Sequence, residues 1–286
     1  MFSEDLDFVL ERTEPLWAAL RGERIFLTGG TGFFGQWLTE TFDWANQRLR
    51  LRARRVTLTR RREAAERCPE EYWLGDLRTF PFPPGRFRMA IHAAIDCGDL
   101  EGAVAGTRRM AEFAARNGFE RWLFTSSGAA RWPETPLGAA KSECERVVGE
   151  SAPAAAIARC YSFVGPYLPL DGKFAAGNFL RDKLAGGPVR VAGDGRAVRS
   201  YLYAAEMAVH LWTGLFRGWP GRVFEVGAAE AVTVGELAGM FECGVEVAGG
   251  AVGSTVYLPE GGIAAEIPLE VGLARTERWW RVRRGA

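Results

Sequence analysis

Residues 25–35 read IFLTGGTGFFG, and the chain continues as QWLTETF at residues 36–42. A short apolar run, a glycine-rich turn and an amphipathic stretch in this order predict a strand, a tight turn and a helix. Glycine permits the positive φ angles of a tight turn and lets a pyrophosphate approach the backbone. The N–H groups and dipole of the following helix would then face that phosphate. The stretch therefore predicts a bound dinucleotide.

The spacing of the turn glycines leaves one alternative open. Gly29, Gly32 and Gly35 are spaced G-x-x-G-x-x-G, whereas the commonest dinucleotide fingerprint is G-x-G-x-x-G. In a chain with 35 glycines a chance match is an alternative interpretation. The strand before the turn and the helix after it favour the dinucleotide turn.

Strands and helices alternate through the first half of the chain. The patterns predict strands at 25–27, 55–59, 72–74, 89–94, 121–127 and 154–159, with helices at 4–20, 100–117 and 138–150. This alternation predicts an α/β fold with a doubly wound parallel sheet, a Rossmann fold. Prolines and glycines interrupt the pattern after residue 165, which predicts a smaller C-terminal α/β substrate lobe. We therefore expect a dinucleotide-binding domain over 1–165, including the N-terminal helix, and a substrate-binding lobe over 166–286.

Composition narrows the class of protein. The formal net charge is +1 and 25% of the residues are charged, so nucleic-acid or membrane partners are not expected. No apolar run is long enough to span a bilayer, and the acidic start is unlike a signal peptide. The five cysteines lack C-x-x-C spacing and there are two histidines, so we expect no metal site and no disulfide framework. These features predict a cytoplasmic protein.

The end of the second predicted strand is basic. In many dinucleotide-binding folds an acidic residue there accepts hydrogen bonds from the adenosine ribose. Here the sequence is Thr59-Arg60-Arg61-Arg62. Arg60 and Arg61 would suit the 2′-phosphate of NADP, which makes NADP the preferred cofactor and leaves NAD as an option. The alternative is a solvated basic turn.

Two further strand ends carry candidate residues. Asp76, in Gly75-Asp76-Leu77, could accept a hydrogen bond from the adenine amino group or could simply be a turn residue. Ala93 and Ala94 are small enough for the backbone to approach a cofactor closely. His92, which precedes them, is interpreted as a structural histidine rather than a proton shuttle.

Several motifs occur in a defined order along nearly the whole chain. They are TGGTGFFG at 28–35, GDL at 75–77, HAA at 92–94, TSSGA at 125–129, ARCYSFVGP at 158–166, AGDG at 192–195, RSYLY at 199–203 and FEVG at 224–227. Together they resemble the NAD(P)-dependent epimerase/dehydratase family, the extended short-chain dehydrogenases/reductases. Members of this family act mostly on nucleotide sugars.

The resemblance implies roles for matching residues. The residues near the cofactor would be Gly29, Thr31, Gly32, Phe33, Phe34, Gly35, Asp76, Leu77, Ala93 and Ala94. Ser127 would hydrogen-bond the reacting sugar oxygen, and Lys141 would hold the nicotinamide ribose. Asn178 and Arg199 would bind the diphosphate of the substrate. The resemblance also implies a homodimer through the helices at 100–117 and 138–150.

One residue departs from the family pattern. The acid/base of the family is the tyrosine of a Y-x-x-x-K motif, but the position four before Lys141 is Leu137. The segment from Ser127 to Leu137 is also shorter than is usual in the family. Tyr161, Tyr201 or Tyr203 could supply the proton, although packing is the ordinary role of such residues, and Tyr161 is retained as the substitute candidate. Alternatively, the reaction could need no side-chain proton transfer, or the substrate or water could carry the proton. Lys141 could itself be an ordinary surface lysine.

Two functions of different classes remain. The first is an NADP-linked epimerase, dehydratase or reductase that acts on a nucleotide sugar or related metabolite without the usual tyrosine. The second is a catalytically degenerate dinucleotide-binding protein that serves as a sensor or partner subunit. Loss of a positioned general base typically costs about 10²–10⁴-fold in rate, which keeps the second function open.

Overall fold

A computed structural model of the chain describes residues 3–68, 70–94, 98–151, 155–170, 172, 174–217, 223–250 and 255–285. The chain forms two compact units. The first consists of residues 3–160 and Ala208–Phe224, and the second of Tyr161–Met207 and residues 225–285. The division after residue 165 stays a prediction, because compactness alone does not establish that either unit is a domain.

The first unit alternates strands and helices. Its strands are β1 (Arg24–Thr28), β2 (Arg54–Thr59), β3 (Tyr72–Leu74), β4 (Met89–His92), β5 (Arg121–Ser127) and β6 (Ala155–Cys160). Its helices are α1 (Ser3–Thr13), α2 (Phe33–Arg48), α3 (Arg62–Arg67), α4 (Leu100–Asn117) and α5 (Pro136–Ser151). Gly118 ends α4 in the left-handed conformation, as its position in the sequence predicts.

The main sheet has seven strands in the order β11-β6-β5-β4-β1-β2-β3, where β11 is Val223–Val226. The neighbouring pairs from β3 to β6 are all parallel. From β1 the chain adds β2 and then β3 on one side. It then crosses to the other side of β1, where it adds β4, β5 and β6. The predicted doubly wound parallel sheet is therefore confirmed, with its switch point between β1 and β4. Ligands bind at the carboxyl ends of the strands at such a point.

The core of the first unit is aromatic on one face of this sheet. Phe26 of β1 packs against the rings of Phe80, Phe87 and Phe113, with centroids 5.1–5.8 Å apart. All four side chains are fully buried or nearly so. Burial of such large apolar side chains holds the sheet and α4 together.

The N-terminal segment is helical but not one α-helix. The α-helix α1 ends at Thr13, and Glu14–Leu20 forms a 3₁₀-helix. Pro15 explains the change, because proline donates no backbone hydrogen bond and disfavours the α conformation of the residue before it. Trp17 of the 3₁₀-helix is fully buried against Phe42 and Trp212.

The second unit is a mixture of short strands and helices. Its strands are β7 (Ser162–Val164), β8 (Val189–Val191), β9 (Val198–Arg199), β10 (Tyr201–Tyr203), β12 (Val232–Thr233), β13 (Val245–Val247) and β14 (Val256–Tyr257). Its helices are α6 (Ala175–Leu184), α8 (Val234–Gly239) and α9 (Leu269–Arg284), and α7 (Ala204–Arg217) begins in this unit and continues in the first. The strands form three small sheets, β10-β7, β12-β9-β14 and β13-β8.

None of the helices in the described part of the chain is long and apolar enough to cross a membrane.

Candidate functional site

The turn after β1 brings two strand ends into close contact. Gly29 has φ +77°, in the left-handed region that favours glycine. A Cβ atom at this position would lie 2.6 Å from the carbonyl carbon and oxygen of Ala93 and 2.7 Å from the nitrogen of Ala94. Backbone atoms leave no room for a side chain here, so glycine is what allows the ends of β1 and β4 to meet.

Two further glycines let α2 and β2 lie close to this turn. A Cβ atom on Gly35 would lie 2.1 Å from the carbonyl oxygen of Gly29, and one on Gly30 would lie 2.5 Å from Cγ2 of Thr57 in β2. Both distances are far below van der Waals contact. The first turn of α2 and the neighbouring strand β2 can therefore lie close to the glycine turn only because these side chains are absent.

Gly32 is different because space in front of it is open. It is the N-cap residue of α2, with an ordinary φ of −82°. A Cβ atom there would meet nothing closer than 3.4 Å. Thr31 and Gly32 are exposed, while Phe33 and Phe34 are half-buried. The first N–H groups of a helix have no carbonyl partner within it, so this open helix start is suited to a phosphate group.

His92, the last residue of β4, links the same two strand ends by a hydrogen bond to Thr28. It is fully buried, with Nδ1 2.8 Å from Oγ1 of Thr28 and Nε2 3.1 Å from Oγ1 of Thr107. Thr28 Oγ1 also accepts a hydrogen bond from the N–H of Ala94, and Thr107 donates to the carbonyl of Ala103. A neutral imidazole protonated on Nε2 satisfies every one of these bonds. His92 is therefore built in as a structural residue.

The carboxyl end of β2 is basic and open. Oγ1 of the buried Thr59 accepts a hydrogen bond from the N–H of Arg61 at 3.0 Å. Arg60 and Arg61 are both exposed, and α3 begins at Arg62. Their guanidinium groups are thus presented to solvent beside the strand that neighbours β1.

Asp76 follows the next strand and is held by an arginine that the sequence interpretation missed. Arg78 donates from Nε to Oδ1 at 2.8 Å and from Nη2 to Oδ2 at 3.2 Å, and its backbone N–H also donates to Oδ1. These bonds from Arg78, with a smaller contribution from the charge of Arg60, hold the pKa of Asp76 below its usual value. The D-x-R spacing was the available signal. Leu77, between them, packs against Gly106 of α4.

A short loop joins β5 to α5. The Ser127 side chain accepts a hydrogen bond from the N–H of Ala129 and so caps a 3₁₀-helix over Gly128–Arg131. A Cβ atom on Gly138, in the first turn of α5, would lie 1.9 Å from the carbonyl oxygen of Trp132. The hydroxyl of Thr135 accepts a hydrogen bond from the N–H of Gly138. The loop therefore packs directly onto the start of α5.

The register of α5 places Leu137 in the position predicted from the motif. Leu137 is the second residue of the helix, and Lys141 follows four residues later. Residues separated by four lie on the same helix face. Leu137 is half-buried and Lys141 is only 7% exposed. The side chain that would lie one turn before the lysine is aliphatic and cannot transfer a proton, and Lys141 is not a surface lysine.

Lys141 extends its charge toward the carboxyl ends of the strands. Its Nζ lies 5.9 Å from the centroid of the Phe124 ring in β5. Burial, assisted by the charge of Lys141, lowers the pKa of His92 to about 3. Burial raises the pKa of Cys160 to about 12, although Lys141 opposes that rise. The ammonium group of Lys141 thus lowers the pKa of residues at the ends of both β4 and β6.

Tyr161, the substitute acid/base candidate, belongs to the second unit. Its hydroxyl donates to Oε1 of Glu225 at 2.9 Å, and its ring centroid lies 4.9 Å from that of Tyr257. The side chain is 9% exposed. Tyr201 and Tyr203 are also buried, and burial raises the pKa of Tyr201 to about 12. Packing and hydrogen bonding account for these positions, and a catalytic role for Tyr161 stays a prediction.

The two predicted substrate residues also lie in the second unit. Asn178, in α6, accepts a hydrogen bond from Nη1 of Arg181 at 3.2 Å. Arg199, in β9, donates from Nη1 to the carbonyl oxygens of Val198 and Thr255. Its guanidinium therefore supports the strand arrangement β9-β14 here. Binding of a diphosphate by Asn178 and Arg199 stays a prediction.

The described residues contain no group of three or more His, Cys, Asp or Glu side chains arranged to hold a metal ion.

The model of the NAD dependent epimerase/dehydratase family matches residues 98–227. This match confirms the family resemblance predicted from the motifs. No curated protein matches the sequence.

Solved structures share the fold at low sequence identity. A dTDP-glucose 4,6-dehydratase from Streptomyces venezuelae, with NAD and TYD bound, is 22% identical with a TM-score of 0.76, covering 92% of this chain and 98% of the other. An epimerase from Methanothermobacter thermautotrophicus is 19% identical with a TM-score of 0.75, covering 100% and 98%. A UDP-glucose 4-epimerase from Thermotoga maritima, with UDP-glucose, is 17% identical with a TM-score of 0.74, covering 91% and 99%.

Proposed function

We propose that this protein binds a nicotinamide dinucleotide at the turn of residues 29–35 and uses it on a nucleotide-activated sugar or a related metabolite. The observation that carries the proposal is the glycine turn itself. Gly29 and Gly35 are required by backbone contacts, whereas Gly32 leaves open space at the start of α2. Such an arrangement fits a pyrophosphate against helix N–H groups. Structures of similar fold were solved with NAD bound.

Among dinucleotides, the proposed cofactor is NADP. Support comes from the two neighbouring strand ends, where Arg60 and Arg61 are exposed after β2 and Arg78 is exposed after β3. Asp76, the carboxylate that follows β3, already accepts three hydrogen bonds from Arg78. Arg60 and Arg61 therefore offer guanidinium groups to a 2′-phosphate, while the charge of Asp76 is compensated by Arg78.

The cofactor preference is tested by titrating NADP and NAD into the wild type and an Arg60→Ala variant. Loss of a charge-assisted hydrogen bond of about 1.5–3 kcal/mol should weaken NADP binding by roughly 10–100-fold and leave NAD unchanged. Arg54→Ala is the matched control, because Arg54 is exposed at the opposite end of the same strand. Equal affinity for NADP and NAD in the wild type would count against the 2′-phosphate assignment.

The proposed chemistry is oxidation, reduction, epimerisation or dehydration at a carbinol carbon. When bound, the nicotinamide supplies hydride exchange. Lys141 would hold the nicotinamide ribose, and Ser127 would orient the reacting oxygen of the substrate. Asn178 and Arg199 would bind the substrate's diphosphate. The proton carrier is unassigned, with Tyr161 as the substitute candidate.

A specific observation favours a second candidate function. The helix register places Leu137, not a tyrosine, one turn before Lys141, and the loop packs directly onto Gly138. A chain of this kind could bind the cofactor without redox catalysis and act as a sensor or partner subunit.

One experiment separates the two functions. NADPH affinity is measured by calorimetry, and the bound cofactor is then incubated with a panel of UDP- and dTDP-sugars while its absorbance and the sugar products are followed. The enzyme function predicts conversion of at least one sugar. Tight NADPH binding with no sugar converted would reject the enzyme and leave the sensor function.

The proposed assembly is a homodimer through α4 and α5. These helices present alternating charges outward, including Arg108 bonded to Glu143 and Arg146 bonded to Glu150. A mixed-charge face can be self-complementary about a two-fold axis. Sedimentation should give a dimer that weakens as salt is raised, and a monomer at low salt would remove this proposal.

A further inference from the structure

A buried carboxylate joins three elements of the first unit. Glu145 of α5 accepts a hydrogen bond from Oγ of Ser126 in β5 at 2.6 Å. It also accepts two from Arg159 of β6, from Nε at 2.9 Å and from Nη2 at 2.7 Å. The side chain of Glu145 is 9% exposed and that of Arg159 is 24% exposed. Both carboxylate oxygens are thus bonded in a largely buried site.

The positions of these residues connect them to the candidate site. Ser126 immediately precedes Ser127 in β5 and pairs in register with Arg159. Glu145 lies one turn after Lys141, on the same face of α5. One carboxylate therefore ties the helix that carries Lys141 to the strand that carries Ser127.

Stability alone does not explain such an arrangement. A buried ion pair contributes little net stability, because the cost of removing two charges from water offsets their attraction. Apolar residues of similar volume would serve packing as well. What a bidentate pair supplies in addition is a fixed distance and direction between two elements.

We propose that Glu145 is a positioning residue that, through Ser126 and Arg159, sets Lys141 against the carboxyl edge of the sheet. The assignment rests on the proposed function, in which Lys141 holds the nicotinamide ribose. It predicts that Glu145 affects the nicotinamide half of the cofactor and not the adenosine half, which the glycine turn and the arginines after β2 would hold.

The test compares two ligands by calorimetry on the full chain. NADPH contains both halves of the cofactor, whereas 2′,5′-ADP contains only the adenosine half. The first variant, Glu145→Gln, removes the charge at nearly constant volume. The second, Glu145→Met with Arg159→Met, replaces the pair with apolar side chains and keeps the fold stable if the first variant unfolds.

The matched control is Glu143→Gln. Glu143 lies on the same helix two residues earlier but is partly exposed, and it bonds Arg108 and Arg146 at the surface. Melting temperature is recorded for every variant, so that a general loss of structure is recognised separately.

We expect the Glu145 variants to bind NADPH about tenfold more weakly, which is about 1.4 kcal/mol, with 2′,5′-ADP affinity unchanged. The control should match the wild type with both ligands. If NADPH and 2′,5′-ADP affinities fall together, or if neither falls, Glu145 has only a structural role and the proposal is overturned. A wild-type chain that binds neither ligand overturns the proposed function and this assignment with it.

Discussion

Replacement of Gly35 by alanine tests the glycine turn most directly. The new Cβ atom would lie 2.1 Å from the carbonyl oxygen of Gly29 and 2.5 Å from Cα of Gly30. Ordinary contact begins near 3.4 Å, so α2 and the turn would have to separate by about 1.3 Å. Both opposing atoms belong to the backbone, which cannot rotate away as a flexible side chain would. Overpacking of this kind costs about 1–3 kcal/mol of unfolding free energy.

The same displacement should weaken cofactor binding. Hydrogen bonds to a phosphate need donor–acceptor distances of about 2.7–3.2 Å, so retreat of the helix start by about 1 Å breaks them. Loss of two charge-assisted bonds, at about 1.5 kcal/mol each, predicts roughly a hundredfold lower affinity for NADPH. Gly35→Ala should therefore reduce both stability and binding.

Gly32→Ala should separate these two effects. Its Cβ atom would meet nothing closer than 3.4 Å, and its φ of −82° suits alanine. The unfolding free energy should change by less than about 0.5 kcal/mol. The added methyl group would instead occupy the space proposed for the pyrophosphate, so NADPH affinity should fall at least about tenfold.

Urea unfolding and calorimetric titration with NADPH measure the two quantities on each variant. Gly149→Ala is the control, since Gly149 lies exposed in α5 with nothing near its Cβ position. That variant should gain about 0.5–1 kcal/mol of stability from its better helix propensity and bind normally. Wild-type NADPH affinity in Gly32→Ala would refute the location of the pyrophosphate, whatever Gly35→Ala does.

Three further predictions concern the strands and helix beside the turn. Because the folded pKa of His92 is about 3 against an ordinary 6.5, the unfolded state binds one proton more between these values. The unfolding free energy should therefore fall as the pH drops below about 6.5, by up to roughly 1.4 kcal/mol per pH unit. Urea titrations at pH 7 and 5 should show that His92→Gln lacks this pH-dependent loss of stability. Leu137→Tyr should raise turnover of a converted sugar by about 10²-fold, and Lys141→Met in the same chain should abolish the gain; turnover unchanged by the tyrosine would contradict the assigned register. Gly138→Ala should lower the unfolding free energy by about 1–3 kcal/mol, because its Cβ would strike the carbonyl of Trp132; wild-type stability would show that the loop moves freely.

The strand, turn and helix at the proposed cofactor site were predictable because their signals are local. An apolar run, closely spaced glycines and an amphipathic stretch lie next to one another in the sequence. The pairing of β1 with β2 and β4 then follows from the general rules of parallel sheets. The separate reasons for each glycine were not predictable, since Gly29 contacts Ala93 and Gly30 contacts Thr57 only after the sheet forms.

The sequence did not predict which side chains from distant elements contact one another. The cluster of Glu145, Ser126 and Arg159 depends on the registers of a helix and two strands, and no local pattern marks it. Arg78 was missed for a different reason. Its bonds to Asp76 are local, and the D-x-R spacing of the two residues is the pattern that marks them as a pair.

The absence of the tyrosine cannot be explained by a displaced helix. Helix α5 begins at Pro136, capped by Thr135, so Leu137 and Lys141 keep the spacing of one turn that the motif requires. The loop before α5 contains one carboxylate that could replace the tyrosine as proton carrier. Between Ser127 and Lys141 the only carboxylate is that of Glu134, which is exposed. In the proposed function, phosphate binding depends on the glycine turn and proton transfer depends on a side chain near Lys141, and these are separate physical requirements. Affinity for NADPH therefore carries no information about the proton carrier. The pH dependence of turnover does, because a carboxylate, a lysine and a phenol titrate in different ranges.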